Sequence, residues 1–424
     1  MNAPPHLFRL RQHFDHPEVE EVSSKVEVEL ARLDLETRVE PGQTVAITAG
    51  SRGIHDIPHI IKAIVDHLRT LGAVPFIVPA MGSHGGATVE GQRHILESYG
   101  ITEAFCGAPI RASMETVVVC EAAEGFPVHF DRHAFEADHV VVCNRIKPHT
   151  LFTGEIESGL MKMMLIGLGK KNGAEIYHRA IRDFSFERIL GSVTGEVLQR
   201  CSILAGVAIV ENSRCRTAVI EAMAPWDILE RERELLRMAK QWLPRLPFDT
   251  ADILLLDEIG KNISGSGMDL NVVGRKHLMH QAAEHETPKI RMIAVRDLAE
   301  LTHGSAVGIG LAEFCRKRVL GKMDVAMTRV NALTGGYFHE AMLPLDYDTD
   351  REMLEVMATQ VGLVAPSDMK MMWIRNTREV IEVECSAVYL EEARDRDDLM
   401  ILGEPRPMVF DAEGNLDDGH MDPA

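Results

Sequence analysis

Three histidines and one lysine in the first half of the sequence have neighbours that favour chemistry. The first, His84, lies in the run GSHGG over 82–86, directly after the apolar run 74–78. The glycines remove side-chain bulk and let the backbone approach a ligand closely. Because an unperturbed imidazole exchanges its proton near neutral pH, a histidine in this setting predicts proton transfer. The alternative interpretation is a tight turn whose histidine faces water.

The other three residues, His149, Lys162 and His178, lie within the stretch 147–178. Lys162 is surrounded by methionine and leucine, and a lysine in apolar surroundings forms an ion pair, loses its proton or is covalently modified. The alternative is a lysine at the polar edge of a helix, with its ammonium group in water. His178, considered alone, is equally typical of a surface residue.

Several cations fall close to glycine-rich loops, although the chain as a whole is acidic, with a net charge of −19. Local positive charge in an acidic protein favours a carboxylate or phosphate ligand. Within this set we interpret Lys170 and Lys171 as solvated side chains. The cations are Arg52, Arg145, Lys147, Lys162, Lys170, Lys171, Lys261 and Arg275.

The elements that must position these residues alternate along the chain between apolar, strand-like runs and segments of helical periodicity. This alternation predicts an α/β fold with mostly parallel sheets. Ligands bind beyond the carboxyl ends of such strands, so the loops that follow them are expected to form one site. A buried helix is predicted over 157–169. Strands are predicted over 43–50, 73–80, 137–144, 203–212, 252–260, 290–295, 324–333 and 369–375.

A length of 424 residues favours two domains. Pro244 and Pro247 interrupt a charged helical segment, so we place the domain boundary there. The prediction is an N-terminal α/β domain over 1–246 that carries the acid/base motifs, and a C-terminal α/β domain over 247–402. A polar, loosely held tail is expected over 403–424, and an active-site cleft is expected between the two domains.

The bulk properties exclude several classes of protein. The charge of −19 argues against a surface for nucleic acid or anionic membranes, and no apolar run approaches the roughly 20 residues of a membrane span. The N-terminus lacks an apolar signal core, and seven scattered cysteines are typical of reduced thiols. We therefore expect a cytoplasmic protein with a small-molecule substrate and no nucleic-acid or membrane partner, and leave its oligomeric state open.

The motifs GSHGG, KPH followed by SGLMK, and AEIYH resemble, in this order over residues 45–180, the nickel-dependent lactate racemase family. Members of that family racemise or epimerise 2-hydroxy acids with a nickel-pincer nucleotide (pyridinium-3,5-bisthiocarboxylic acid mononucleotide nickel). The resemblance implies that His84 and His149 are the two acid/base residues. It also implies that His178, which lies 16 residues after Lys162, is the nickel ligand.

The same resemblance implies further contacts. Lys162 matches the lysine that can be linked covalently to the cofactor through a thioamide, and Arg52 matches an arginine that holds the substrate carboxylate. Lys261 is the candidate for a substrate-binding lysine of the second domain. The loop before Arg52 departs from the best-known members, because it reads Ala-Gly-Ser where they carry an acidic residue and a histidine. The other implied cofactor-binding residues are Gly82, Ser83, Ser158 and Gly159.

The reaction implied is inversion at Cα by hydride abstraction to the nickel-pincer nucleotide and return of the hydride on the opposite face. Two histidines would take and return the hydroxyl proton as the planar 2-keto acid forms and reacts. Two alternatives stay open. One is a metal-dependent hydrolase with His84, His149 and His178 as a histidine triad. The other is a non-catalytic two-domain binder of an anionic metabolite.

Overall fold

The computed structural model of the protein describes residues 5–51, 53–150, 152–418 and 421, without the side chain of Thr334. The chain divides into two compact units. The first unit spans His16–Trp242, and the second combines the residues before His16 with those after Trp242. In the part of the chain that the structure describes, no helix is long and apolar enough to cross a membrane.

The elements follow one another in an order that alternates strands and helices over much of the chain. The strands are β1 (Leu7–Gln12), β2 (Thr44–Ala49), β3 (Val74–Pro79), β4 (Thr116–Glu121), β5 (Pro127–Asp131), β6 (His139–Arg145), β7 (Ile203–Glu211), β8 (Thr217–Met223), β9 (Thr250–Ile259), β10 (Lys289–Leu298), β11 (Phe314–Arg316), β12 (Leu345–Tyr347), β13 (Met371–Ile374), β14 (Glu382–Ser386) and β15 (Leu399–Ile401). The α-helices are α1 (Val22–Ala31), α2 (Ile57–Thr70), α3 (Val89–Ser98), α4 (Glu103–Cys106), α5 (Arg132–Glu136), α6 (Leu160–Lys162), α7 (Lys170–Phe184), α8 (Phe186–Arg200), α9 (Ile228–Gln241), α10 (Leu270–Val273), α11 (Lys317–Lys322), α12 (Val325–Gly335), α13 (Asp350–Gln360) and α14 (Leu390–Arg394). A π-helical turn, Met163–Gly167, follows α6 directly.

The first unit contains a sheet with the strand order β3-β2-β6-β7-β8, in which only the pair β7-β8 is antiparallel. Successive residues of β2 face opposite sides of this sheet: Ala46 packs into one apolar core, whereas Val45 and Ile47 pack into another. A parallel sheet covered by helices on both faces buries its strands completely. The predicted α/β fold with mostly parallel sheets is confirmed.

The second unit contains a sheet with the order β12-β11-β10-β9-β13-β14-β1-β15. Neighbouring strands from β12 to β13 are parallel, and the remaining pairs are antiparallel. The sequence placed residues 1–15 with the first domain, but β1 pairs with β14 and β15 in this sheet. The strand lies far from its partners in sequence, so local patterns do not reveal this pairing.

The end of the chain is anchored to this second unit. The buried Arg296 donates to the Leu416 carbonyl over 2.7 Å and to Asp418 Oδ1 over 3.1 Å. Arg296 also binds the buried carboxylate of Asp350, which accepts the Leu416 N–H over 2.9 Å. The tail expected to be loosely held over 403–424 is therefore fixed around Leu416 by a buried polar network.

Two local predictions are wrong. The run 324–333 was predicted as a strand, but it belongs to α12. Asp324 caps this helix by accepting the Met327 N–H, and Gly336 ends it with a φ of 76°. The predicted helix over 157–169 is instead a loop, the short α6 and the π-helical turn.

Candidate active site

His84 lies in the loop that follows β3, and Ser51 lies in the loop that follows the neighbouring strand β2. The Ser51 hydroxyl oxygen is 2.5 Å from His84 Nδ1. The Tyr99 hydroxyl donates to the Ser51 carbonyl over 3.2 Å, which fixes the serine from behind. Ser83 and His84 are both half-buried. The histidine is thus held by a second loop and is not the water-facing residue of an isolated turn.

Both loops pack against the π-helical turn. Gly82 has a φ of 58°, and its N–H donates to the Gly167 carbonyl over 3.2 Å. A Cβ added at Gly82 would lie 3.2 Å from Ile166, and one added at Gly50 would lie 3.3 Å from Met163 Cε. Glycine is required at position 82 because it combines a left-handed backbone with a close approach. The GSHGG loop is therefore in direct contact with the π-helical turn that follows the SGLMK motif.

His149 follows β6, the strand on the other side of β2. Its Nδ1 accepts the Phe152 N–H over 3.1 Å, and its own backbone N–H donates to Glu157 Oε2 over 2.9 Å. The imidazole stacks on the Phe152 ring at 4.3 Å, and Phe152 stacks in turn on Phe186 at 4.2 Å. Because a backbone amide can only donate, the neutral ring of His149 carries its proton on Nε2.

Lys162 ends α6, and its ammonium lies 5.2 Å from the centroid of the Phe152 ring, within reach of a cation–π interaction. His178 is on α7. Burial lowers the pKa of the His178 imidazole to about 4, and the positive charges of Lys162 and Arg182 add to this effect. Lys162 therefore affects the charge state of His178 and also lies near the Phe152 ring on which His149 stacks.

The polar groups of Ser158 and Gly159 form hydrogen bonds with other residues of the protein. The Lys147 N–H donates to Ser158 Oγ over 3.1 Å, and that hydroxyl donates back to the Lys147 carbonyl over 2.5 Å. Asn144 donates to the Gly159 carbonyl over 2.9 Å. Gly159 has a φ of 120°, and a Cβ there would lie 2.5 Å from Glu232 Oε1. These two residues fix the chain path that leads from His149 to Lys162.

Glu232 is a buried residue of this region that the sequence analysis missed. It is fully buried on α9, and its Oε2 accepts the Met161 N–H over 3.0 Å. Burial raises the pKa of its carboxyl group to about 8, and the backbone hydrogen bonds only partly oppose that change. A signal was present, because Glu232 lies four residues after Ile228 and three before Leu235 on the buried face of the helix.

Several cations that suggested an anion site form ion pairs instead. The pairs are Arg145–Glu211, Lys170–Asp131 and Arg275–Glu313. The interpretation of Lys170 as a solvated side chain is wrong, because Lys170 and Asp131 are both fully buried and 2.9 Å apart. Lys171 is exposed and lies 3.9 Å from Glu175. Positive charge near a glycine-rich loop is thus not by itself a sign of an anion ligand.

Arg52 lies outside the described residues. Lys261 belongs to the second unit, where its N–H donates to Thr302 Oγ1 over 3.1 Å and its ammonium donates to Asn331. Burial raises the pKa of the Glu340 carboxyl group to about 7, although the charge of Lys261 opposes this change. Lys261 is thus part of a polar cluster between the loop after β9 and α12.

Within the described ranges, no three His, Cys, Asp or Glu side chains come together in a way that could hold a metal ion. His84, His149 and His178 therefore do not form a histidine triad.

Residues 11–186 match the family described as "Lactate racemase N-terminal domain". No curated protein matches the sequence. The lactate racemase apoprotein from Thermoanaerobacterium thermosaccharolyticum is 15% identical and has a TM-score of 0.47, with 68% of this chain and 74% of that chain covered. A protein from Thermotoga maritima is 12% identical and has a TM-score of 0.47, with 65% of this chain and 70% of that chain covered.

Proposed function

Since residues 11–186 of this chain form a divergent lactate racemase-like domain, we propose that the protein is an isomerase that racemises or epimerises a 2-hydroxy acid. The observation that carries the proposal is the placement of two imidazoles on the loops after β3 and β6, the two strands that flank β2. These three strands are parallel, and each of His84 and His149 is held through Nδ1. Removal and return of a hydroxyl proton requires groups of this kind.

The side chains around Lys162 fit the nickel-pincer nucleotide that the sequence resemblance implies. The His178 imidazole is neutral at pH 7, which a metal ligand requires. The nucleotide brings its own carbon and sulfur ligands, which agrees with a single histidine ligand from this chain. We infer that His178 would bind the nickel and that Lys162 would hold, or be linked to, the nucleotide. When bound, the group supplies a hydride acceptor, which lets the substrate pass through a planar 2-keto acid.

The two histidines are not equivalent in this proposal. A serine hydroxyl can accept as well as donate, so Ser51 can accept the Nδ1 proton of His84 and leave Nε2 as a base. His149 Nδ1 accepts from a backbone N–H, so its Nε2 offers a proton to the substrate oxygen. His84 would therefore remove the hydroxyl proton, and His149 would donate to the oxygen from the second loop.

Binding of the substrate carboxylate is proposed for Arg52, because a guanidinium binds a carboxylate through two parallel hydrogen bonds. Lys261 is proposed as a further contact to the substrate from the second unit. Its pairing with Asn331 would orient the ammonium. The Arg52 contact would keep the 2-keto intermediate in place until the hydride returns.

The proposal is tested with protein from a host that makes the nickel-pincer nucleotide. Single enantiomers of a panel of 2-hydroxy acids are incubated with the loaded protein, and the products are separated by chiral chromatography. We expect inversion of at least one acid and a loss of about 100-fold or more in turnover for His84→Asn. His94→Asn serves as the control, because His94 is an exposed histidine on α3.

Other results would favour the alternatives. A loaded protein that binds these acids tightly but inverts none of them would support the anionic-metabolite binder. Hydrolysis of an ester or amide panel that depends on His84, His149 and His178 together would support the hydrolase. Either result would overturn the isomerase proposal.

A further inference from the structure

Lys170 is a fully buried lysine at the start of α7, in the unit that carries His84. Its ammonium group is 2.9 Å from Asp131 at the end of β5, and it also donates to the Pro79 carbonyl at the end of β3. A third acceptor, Gln92 Oε1, lies 3.5 Å away. An ammonium group has three donors, so these three acceptors match its full hydrogen-bonding capacity.

Gln92 connects this buried charge to the GSHGG loop. It is fully buried on α3, and its Nε2 donates to the Gly82 carbonyl over 2.9 Å and to the His84 carbonyl over 3.3 Å. Because Lys170 can only donate, it fixes the Gln92 amide with the oxygen toward the ammonium. The NH₂ group of the amide must then point at the loop.

Asp131, Lys170 and Gln92 belong to three separate elements, namely the β4-β5 hairpin, α7 and α3. Burial lowers the pKa of the Lys170 ammonium, and the Asp131 carboxylate opposes that change. Replacing a buried ion pair by an apolar pair of similar volume often leaves the stability of a protein unchanged or increases it. The pair is thus better explained by the geometry that it imposes than by the stability that it contributes.

We propose that Lys170, Asp131 and Gln92 are positioning residues for His84, which act through the carbonyl groups of Gly82 and His84. This inference rests on the proposed function only in so far as His84 is the base. The backbone of the loop is held from below by Gln92, while Ser51 holds the ring from the side. Together they fix both the position of the imidazole and its rotation.

The first test is Gln92→Leu, which removes both hydrogen bonds to the loop and leaves the ion pair of Lys170 intact. We expect the amides of residues 82–88 to exchange hydrogen faster and the ¹⁵N signals of the His84 ring to change, because the loop becomes mobile. In the loaded enzyme kcat should fall about 10- to 100-fold with KM within about 2-fold, since a shift of about 1 Å has such an effect. Val197→Ala is the matched control, because it loosens a buried site on α8 that does not touch the loop.

The second test is the double variant Lys170→Met with Asp131→Asn, which removes the ion pair while the asparagine side chain can still accept the Ala134 N–H that Asp131 caps. It should reproduce the faster exchange of residues 82–88 seen with Gln92→Leu. Unchanged exchange and unchanged His84 signals in both variants would overturn the proposal. If hydrogen exchange at residues 82–88 is faster in the variants but the loaded wild-type protein inverts no 2-hydroxy acid, the positioning role stands and only the proposed function is overturned.

Discussion

Ser51 Oγ and His84 Nδ1 are 2.5 Å apart across two loops, although 33 residues separate them in sequence. At His149 the equivalent nitrogen accepts from a backbone N–H, which has only one hydrogen-bonding direction. A hydroxyl group can reverse its direction, so His84 can carry its proton on either nitrogen, whereas the neutral ring of His149 cannot. The contact with Ser51 is therefore the feature that makes His84 the better base of the two.

Replacement of Ser51 by alanine should impair proton removal and leave substrate binding nearly intact. We expect kcat to fall about 10- to 100-fold and KM to stay within about 2-fold, because the His84 ring loses the hydroxyl group that can accept its Nδ1 proton and that holds it in position. Steady-state kinetics of the loaded enzyme measure this effect. Ser98→Ala, at an exposed serine of α3, is the control. A Ser51→Ala enzyme with unchanged kcat would contradict the role of the hydroxyl group.

Comparing Gly82→Ala with Gly86→Ala separates the effect of backbone strain from the loss of the contact between the GSHGG loop and the π-helical turn. The two glycines have similar φ angles of 58° and 64°, but a Cβ meets Ile166 at position 82 and nothing within 4 Å at position 86. Both variants should lose about 1 kcal/mol of stability from strain. Only Gly82→Ala should also lose activity, by about 10-fold or more, because the GSHGG loop moves off the π-helical turn. Equal activity losses in the two variants would contradict this assignment, as judged by urea denaturation together with turnover assays.

Glu232→Gln should change how stability depends on pH. The pKa of Glu232 is raised from 4.5 to about 8 in the folded state, so between these values the folded state holds a proton that the unfolded state has lost. Wild-type stability should therefore fall as pH rises through this range, by about 1.4 kcal/mol per pH unit from this group. The glutamine variant should lack that loss and be the more stable protein at pH 8.

Urea denaturation at pH 5, 7 and 8 measures the difference. Glu230→Gln is the matched control, because Glu230 is an exposed glutamate two residues earlier on α9. Parallel stability curves for wild type and Glu232→Gln across this pH range would show that the carboxyl group is ionised in the folded protein, against the prediction.

Lys162→Arg tests the covalent link while it keeps a positive charge over the Phe152 ring. A guanidinium group cannot form the thioamide, so a nucleotide adduct on the peptide that contains residue 162 should be present in denatured wild type and absent from the variant. Mass spectrometry under native and denaturing conditions distinguishes the two states. An adduct that is lost from wild type on denaturation would mean that the nucleotide binds without a covalent link to Lys162.

The sequence allowed the parallel strands and the loops after β2, β3 and β6 to be predicted, because apolar runs followed by small residues are a local signal. The helix α12 was missed because its apolar residues give a misleading local signal. Val325, Val330 and Leu333 form an apolar pattern, but these side chains are exposed on a helix. Only the cap residue Asp324 signals a helix at this point.

The contacts that organise the candidate site were beyond local patterns. Lys170 was misinterpreted because it stands next to Gly169 and Lys171, which are typical of a surface turn. Its partner Asp131 is remote in sequence, and a buried ion pair leaves no local trace. Ser51 and Gln92 were missed for the same reason, since each is defined by a hydrogen bond to another loop.

The π-helical turn Met163–Gly167 winds more widely than an α-helix, and Lys170, three residues after it, has a backbone φ of 53°, so an irregular segment of fixed length joins Lys162 to α7. Removing one residue there would shorten this segment and displace the start of α7. Lys170 would then leave Asp131, and His178 would turn away from the field of Lys162. The number of residues in this segment is therefore constrained as tightly as their identities, and one-residue deletions here should be tolerated less well than most substitutions.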